Sequence, residues 1–90
     1  AVHHLTRSLA GEWAGKGVRV NAVAPTYIET PLVTAIPENT PCIPIWLNNT
    51  PMGRTGQVDE VAGVVLFLAS DATSLMTGAI VAVDGGFTVW

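Results

Sequence analysis

Several classes of protein are excluded by what this sequence has little of. Its 90 residues contain one cysteine, so no internal disulfide can form and a disulfide-stabilised secreted scaffold is ruled out. Four lysine and arginine residues stand against seven acidic ones, and they are scattered along the chain. A net charge of −3 without a basic cluster predicts that nucleic acid is not a partner.

Long apolar runs are also missing. The longest, from Val61 to Ala69, is far shorter than the roughly 20 residues that a membrane span requires. The first residues show no basic region followed by an apolar segment, which is the pattern of a signal peptide. We therefore expect no membrane partner and a cytoplasmic location. The one thiol, Cys42, has no basic neighbour in the sequence and is predicted to be unreactive.

High hydrophobicity is what the chain does have. Apolar residues make up 49% of it, and the mean hydropathy of +0.43 is high for a small chain. A length of 90 residues supports one domain at most, with a small core. We therefore expect much of the apolar surface to be covered by other protein.

The stretch from Val18 to Thr30 predicts a strand followed by a bend that faces a ligand. Apolar residues alternate from Val18 to Ala24, and Pro25 ends the strand because proline has no N–H for a sheet ladder. A polar bend, residues 26–30, follows. In open α/β sheets, ligands bind just beyond the carboxyl ends of the strands. The segment from Ala79 to Val83 is predicted as a second strand, of the type buried in a parallel sheet.

A helix is predicted before each strand. Residues 1–16 form the first, and Gly17 after Lys16 is typical of a helix end. Its apolar stripe follows spacings of three and four: Val2, Leu5, Leu9 and Trp13. Residues 58–70 form the second helix, which is apolar on nearly every side and therefore needs a partner on the face away from the sheet. Together these elements predict an α/β fold.

Residues 32–50 are predicted to be a long connection, because three prolines are spaced through them. Several apolar residues, including Trp46, do not suit a free linker. A long apolar connection beside a ligand crevice is typical of a lid or a substrate wall. The alternative is a loop that only packs on the core.

An ordered series of motifs resembles the short-chain dehydrogenase/reductase family and extends over nearly the whole chain. The series runs Asn21-Ala-Val-Ala-Pro, Tyr27-Ile-x-Thr, Pro51-Met-Gly-Arg-x-Gly, Glu60-Val-Ala, Phe67-Leu-Ala-Ser, Met76-Thr-Gly and Val83-Asp-Gly-Gly. The resemblance implies that residues 1–90 are a C-terminal fragment of a single Rossmann-type domain. The fragment is expected to form the C-terminal part of a doubly wound parallel sheet, with its elements in the order helix–strand–loop–helix–strand. Residues 32–50 are expected to be the substrate-binding loop. Within the family the sequence looks closest to polyol and sugar-alcohol dehydrogenases.

The resemblance also implies a cofactor site for NAD or NADP, with NAD favoured. Its residues on this chain are Pro25, Thr26, Tyr27, Ile28, Thr30 and Leu32. The N–H of Ile28 and the hydroxyl of Thr30 are expected to bind the nicotinamide carboxamide, which leaves one ring face open for hydride transfer. Taken alone, Thr30 is better explained as a cap or turn hydroxyl before Pro31, and the ordered motif series is what favours the cofactor role. Thr26 stands where the family commonly has glycine, and a β-branched residue resists positive φ.

The catalytic groups of the family are expected outside this chain. Its Tyr-x-x-x-Lys pair would lie upstream of residue 1, and the one tyrosine here, Tyr27, is followed four residues later by Pro31 instead of lysine. The resemblance thus implies part of an oxidoreductase that interconverts a secondary alcohol, such as a polyol, and a ketone. The 90 residues alone are expected to be inactive. The alternative is a truncated, inactive association module.

The resemblance implies a homo-oligomer, a dimer or tetramer, formed through helices 1–16 and 58–70 and the last strand. A metal site is not predicted. His3 and His4 point about 100° apart on a helix and do not chelate one ion easily. Asp84 before two glycines is interpreted as a turn-forming residue.

Overall fold

The computed structural model describes residues 1–37 and 40–89, so residues 38 and 39 of the predicted loop and Trp90 lie outside the described residues. Within the described residues there are four α-helices and two strands, with single 3₁₀ turns after the first and the fourth helix. Their bounds are α1 Val2–Trp13, β1 Ala22–Pro25, α2 Pro31–Thr34, α3 Cys42–Asn48, α4 Val58–Ala69 and β2 Ile80–Val83, and the 3₁₀ turns are Ala14–Lys16 and Asp71–Thr73.

The two strands are neighbours in one parallel sheet. Ala22 pairs with Ile80 and Pro25 pairs with Val83, so both strands end at the same edge. Parallel strands joined through a helix are the βαβ arrangement of α/β proteins, and the predicted fold class is confirmed.

The first strand was expected from Val18 but begins at Ala22, because the intervening residues bind a different partner. The carbonyl of Val20 accepts from Gly78 N–H at 2.7 Å. The side chain of Asn21 accepts from Ala79 N–H and donates to the carbonyl of Met76, both at 3.0 Å. These bonds hold the chain to the connector before β2 without forming a ladder.

Arg19 closes the carboxyl end of α4. Its guanidinium donates to the carbonyl oxygens of Leu68 at 3.0 Å, Ser70 at 3.3 Å, Thr73 at 2.8 Å and Met76 at 3.3 Å. The last carbonyls of a helix have no partner within the helix, and a cation there is favoured by the helix dipole. The alternating pattern placed Arg19 on a strand face and gave no sign of this role.

The first helix agrees with the prediction over most of its length. It is α-helical through Trp13, passes into a 3₁₀ turn, and ends at Gly17 with a φ of 77°. Its buried residues are Thr6 and Ala10, and a side chain at Gly78 would contact Ala10. The apolar stripe faces away from the rest of the chain, with Leu5 56% exposed.

The predicted long connection over residues 32–50 contains helical segments that the sequence did not indicate, since α2 and α3 lie within or beside it. Of the three prolines that indicated a connection, Pro37 lies outside both helices, Pro41 is the N-cap of α3 and Pro44 lies in its first turn, where an N–H has no partner within the helix. Pro31, just before this segment, is the first residue of α2.

The core formed by the described residues is small. Its buried apolar side chains are Ala10 and Leu68, whereas Leu66 is 73% exposed and Leu75 is 97% exposed. The radius of gyration is 15.7 Å, against about 12 Å for a compact chain of this length. Most of the apolar residues counted in the sequence therefore lie at least partly on the surface of the described chain. Over the described ranges, no helix is long and apolar enough to cross a membrane.

Candidate functional site

The polar bend, residues 26–30, leaves the sheet where both strands end. Thr26 N–H donates to the carbonyl of Val83, the last residue of β2, at 3.3 Å. The Asp84-Gly85-Gly86 turn follows β2 at the same edge. The bend therefore lies beyond the carboxyl ends of parallel strands, where ligands of α/β sheets bind.

A second contact fixes the middle of the bend against the turn at residues 53–56. Gly56 N–H donates to the carbonyl of Tyr27 at 2.9 Å, and Glu29 N–H donates to the carbonyl of Gly56 at 2.8 Å. These bonds flank Ile28, which forms an isolated parallel bridge with Gly56. Successive residues of an extended chain point their N–H groups to opposite sides. The N–H of Ile28 therefore points away from this turn.

At the bridge, Gly56 lies against the end of the Ile28 side chain. A Cβ at Gly56 would lie 2.7 Å from Cδ1 of Ile28, which is closer than such carbons approach. The spacing of Gly53-Arg54-x-Gly56 was interpreted only as a turn. Its second glycine is the residue whose backbone bonds to the bend.

Thr30 is the N-cap of α2. Its hydroxyl accepts from Val33 N–H at 3.5 Å, a long bond, and its carbonyl accepts from Thr34 N–H at 2.8 Å. The capping alternative thus has a structural basis. A capping bond uses a lone pair of the hydroxyl and leaves its proton for a second partner.

The six residues predicted to bind the cofactor are only partly brought together. Thr26 and Ile28 line one cavity beside Met52 and Gly85. An adjoining cavity has six further neighbours along its wall, namely Ala24, Pro25, Tyr27, Asp84, Phe87 and Thr88. Thr30 and Leu32 line neither of these two cavities, and Leu32 is 81% exposed on α2.

The conformational difficulty expected at Thr26 does not arise. No residue other than glycine has a positive φ within residues 1–37 and 40–89, so Thr26 adopts an ordinary backbone conformation. Its side chain is half-buried and occupies space at the mouth of the site. The effect of this residue is therefore one of volume.

The glycine turn after β2 packs directly on the segment that follows α3. Gly85 and Gly86 have φ values of 60° and 92°. A Cβ on Gly85 would lie 2.9 Å from Thr50 Cγ2, and one on Gly86 would lie 2.9 Å from Pro51 Cγ. Both positions need glycine for backbone conformation and for close approach.

Asp84 holds that turn in place. Its carboxylate accepts from Gly86 N–H at 3.0 Å, from Thr88 N–H at 3.2 Å and from the Thr88 hydroxyl at 2.7 Å. The bond from the Thr88 hydroxyl is the main cause that lowers the pKa of Asp84. The interpretation as a turn-forming residue fits this geometry. In the part of the chain that the structure describes, no three His, Cys, Asp or Glu residues are grouped as metal ligands.

An ion pair connects the 53–56 turn to α4. Both nitrogens of the Arg54 guanidinium donate to the two carboxylate oxygens of Glu60, at 2.8 and 2.9 Å, and Glu60 also accepts from Gln57 N–H at 3.0 Å. The hydrogen bond from Arg54 is the main cause that lowers the pKa of Glu60 to about 2. The next residue of the turn, Thr55, donates its hydroxyl proton to the Glu29 carboxylate at 2.7 Å.

Three aromatic rings meet beside the bend. Tyr27 is stacked on Trp46 of α3 with ring centroids 3.9 Å apart, and the edge of Phe87 approaches Tyr27 at 6.5 Å. The three residues are far apart in the sequence, so no local pattern signals the cluster.

Comparisons with known proteins cover almost all of the chain. The family model described as enoyl-(acyl carrier protein) reductase matches residues 1–88. Galactitol 2-dehydrogenase of Rhizobium johnstonii is 70% identical over 90 residues, which are 100% of this chain and 35% of that protein. The chain thus spans about a third of the length of this relative.

Solved structures agree with the sequence comparison. The crystal structure of gox2181 superposes with a TM-score of 0.94 at 65% identity, covering 99% of this chain and 35% of that one. A structure from Agrobacterium tumefaciens with bound NADP, provisionally assigned as a 2-deoxy-D-gluconate 3-dehydrogenase, gives a TM-score of 0.92 at 43% identity. It covers 99% of this chain and 36% of the other.

Proposed function

The chain belongs to the short-chain dehydrogenase/reductase family, since the matching family model covers residues 1–88, and we propose that it forms part of an NAD(P)-dependent oxidoreductase. The proposed reaction interconverts a secondary alcohol and a ketone, and a polyol is the proposed alcohol. The 70% identity to a galactitol 2-dehydrogenase supports this choice. The complete enzyme is this chain together with upstream residues that supply the tyrosine and lysine for proton transfer.

The bend has the groups that a nicotinamide carboxamide requires. A carboxamide offers two N–H donors and one oxygen acceptor. Ile28 presents an N–H on the side away from Gly56, and the capping bond at Thr30 leaves its hydroxyl proton for donation. This orientation of Ile28 is the observation that carries the proposal. The residues therefore fit the group.

Holding the amide would fix the orientation of the ring. The nicotinamide supplies the hydride chemistry when bound, and the chain supplies the orientation. Pro25, Thr26 and Tyr27 would line the ring from the carboxyl edge of the sheet, where they border adjacent cavities. Leu32 would reach the cofactor from α2 on its exposed side. Either NAD or NADP fits these contacts, and NAD stays the preferred proposal.

The segment from residue 32 to residue 50 is proposed as the substrate wall. A cavity of about 450 Å³ lies between α2, α3 and the 53–56 turn. Apolar side chains such as Ile43 and Trp46 line it together with polar residues, among them Glu29 and Thr55. A mixed lining of this kind suits a substrate that carries several hydroxyls on a carbon chain.

A homo-oligomer is proposed from the exposed apolar faces. The stripe of α1 and the outer face of α4 carry large exposed side chains, including Leu5, Leu66 and Phe67. Surfaces of this kind in one chain mark protein–protein contacts. The same observation favours the second candidate function, an inactive association module. The two candidates differ in whether the complete protein turns over an alcohol with NAD or NADP.

The first experiment is an activity assay of the complete enzyme. Galactitol and a panel of other polyols are offered with NAD and with NADP, and reduction of the cofactor is followed by absorbance. Turnover with a polyol supports the oxidoreductase. An assembled, folded protein without turnover on any of the alcohols supports the association module and contradicts the proposal.

The second experiment tests Thr30 with the substitution Thr30→Val, which keeps the shape and removes the hydroxyl. A buried neutral hydrogen bond contributes about 0.5–1.5 kcal/mol net and an unpaired partner costs about 1–3 kcal/mol, so we expect cofactor affinity to fall by about three- to a hundredfold. Turnover at saturating cofactor is expected to fall as well, because the ring is less well oriented. Cofactor titration followed by fluorescence measures the affinity.

Thr34→Val is the matched control. The Thr34 hydroxyl donates to the carbonyls of Thr30 and Pro31 on the exposed side of α2. Its loss affects the same short helix without removing the proposed carboxamide donor. If Thr30→Val lowers only thermal stability and binds cofactor like the wild type, Thr30 is a cap and is removed from the site.

A further inference from the structure

The stack of Tyr27 on Trp46 joins the bend to α3. The ring planes differ by only 8° and the centroids are 3.9 Å apart, which is a close face-to-face contact. Phe87, in the turn after β2, lies against Tyr27 with an interplanar angle of 85°. Aromatic pairs in these geometries stabilise beyond the area that they bury.

The Tyr27 ring stands on backbone that is fixed from two sides. Thr26 N–H donates to the carbonyl of Val83, and the carbonyl of Tyr27 accepts from Gly56 N–H. The sheet therefore holds the residue before the ring, and the 53–56 turn holds the carbonyl after it. The ring is a rigid support for whatever packs on it.

The helix α3 is fixed differently, at its carboxyl end. The hydroxyl of Thr50, 5% exposed, donates to the carbonyl of Trp46 at 2.7 Å. Thr50 in turn lies against Gly85. At the other end, Pro41 at the N-cap provides no side-chain hydrogen bond. The carboxyl end of α3 is thus anchored. The direction of the remainder of the helix depends on the Tyr27 ring, on which Trp46 is stacked.

We propose that Tyr27 is a positioning residue that sets the substrate wall through Trp46. The inference rests on the proposed function, since it takes α3 to be that wall. Ile28, the next residue, offers the N–H for the carboxamide. One bend therefore fixes both the cofactor amide and the wall, and with them the distance between the reacting carbons of alcohol and ring. Orientation of this kind contributes directly to rate.

Loss of the Tyr27 ring should loosen α3 and leave the bend in place. A stacked aromatic pair accounts for about a two- to tenfold change in the population of an opened segment. In the complete enzyme, hydrogen exchange of the α3 amides is therefore expected to become two- to tenfold faster in Tyr27→Ala. Tyr27→Phe keeps the stacked ring and is expected to recover most of the lost protection.

Leu75→Ala is the control for a change of apolar surface. Leu75 is 97% exposed and lies in the connector after α4, away from the aromatic cluster. It is expected to leave exchange in α3 unchanged. The amides of α4 serve as the reference within each variant, because a general loss of stability would speed exchange in both helices. Equal acceleration in α3 and α4, or unchanged α3 in Tyr27→Ala, would overturn the proposal.

Kinetics separate positioning of the wall from binding of the cofactor. Tyr27→Ala and Trp46→Ala are each expected to raise KM for the alcohol several-fold. In Trp46→Ala the Kd for the cofactor should change by less than twofold, because Trp46 is not among the residues proposed to line the nicotinamide. The double variant should be no worse than the more affected single variant, because both remove the same contact. Additive effects on KM, or a loss confined to cofactor affinity, would contradict the inference.

Failure of this inference is distinguishable from failure of the proposed function. The exchange measurement needs no substrate and decides whether Tyr27 positions α3. An enzyme that is inactive on every alcohol would refute the oxidoreductase, and with it the role of α3 as a substrate wall. An active enzyme whose α3 is unaffected by Tyr27→Ala would refute only the positioning role.

Discussion

The substitution Gly86→Ala tests whether the turn after β2 is fixed by close packing. The backbone φ of 92° costs a residue with a Cβ about 1–2 kcal/mol. The added methyl would also lie 2.9 to 3.3 Å from three carbons of the Pro51 ring, which cannot rotate away. Overpacking of this kind costs about 1–3 kcal/mol. Together they predict a destabilisation of about 2–5 kcal/mol.

A matched control separates the two causes. Gly17 has a φ of 77° but nothing within 4 Å of a Cβ, so Gly17→Ala should show the backbone cost alone. Denaturant unfolding of the complete enzyme, at one fixed protein concentration because association shifts stability, measures both variants. Gly86→Ala is expected to lose more stability by about 1–3 kcal/mol. Equal losses would show that Pro51 gives way and would refute the reasoning.

Two further predictions concern charged groups. Arg19→Met removes charge-assisted hydrogen bonds to the end of α4 and is expected to lower the free energy of unfolding in denaturant by about 1.5–3 kcal/mol. Arg19→Lys should recover part of this loss. An unchanged unfolding midpoint in Arg19→Met would contradict the prediction. The folded pKa of Glu60 is lowered from 4.5 to about 2, so its contribution to stability is present above pH 4.5 and is lost as pH falls toward 2. The difference in unfolding midpoint between wild type and Glu60→Gln should therefore shrink over this interval, and a constant difference would count against the Arg54–Glu60 pair.

The fold was predictable where it depends on local pattern. Both long helices and the second strand follow from apolar periodicity and from the residues that end each element. The start of β1 was not predictable, because Val20 and Asn21 bind residues more than fifty positions later in the chain. The short helices α2 and α3 were missed for another reason. With four and seven residues they are too short for a periodic pattern, and their prolines sit where a helix tolerates them.

The position of the site was predictable from the sequence, whereas the contacts that hold it were largely not. Pro25 ends a strand, and that alone located the bend at the carboxyl edge of the sheet. The family resemblance supplied Ile28 and Thr30, whose roles stay predictions. The stack of Tyr27 on Trp46 depends on a fold that brings distant segments together, and no sequence spacing encodes it. Single aromatic residues within a loop give no indication of their partners.

The motif Pro51-Met-Gly-Arg-x-Gly gains a physical meaning from these contacts. Arg54 binds Glu60 at the start of α4, and Thr55 binds Glu29 at the end of the bend. Both residues belong to the 53–56 turn, which presents Gly56 to the backbone on both sides of Ile28. The start of α4 is thus linked through the 53–56 turn to Ile28, whose N–H is proposed to hold the cofactor. The motif that identifies the family is therefore explained in part by how it supports the bend, since the backbone of Gly56 bonds to the bend and Arg54 ties the same turn to α4.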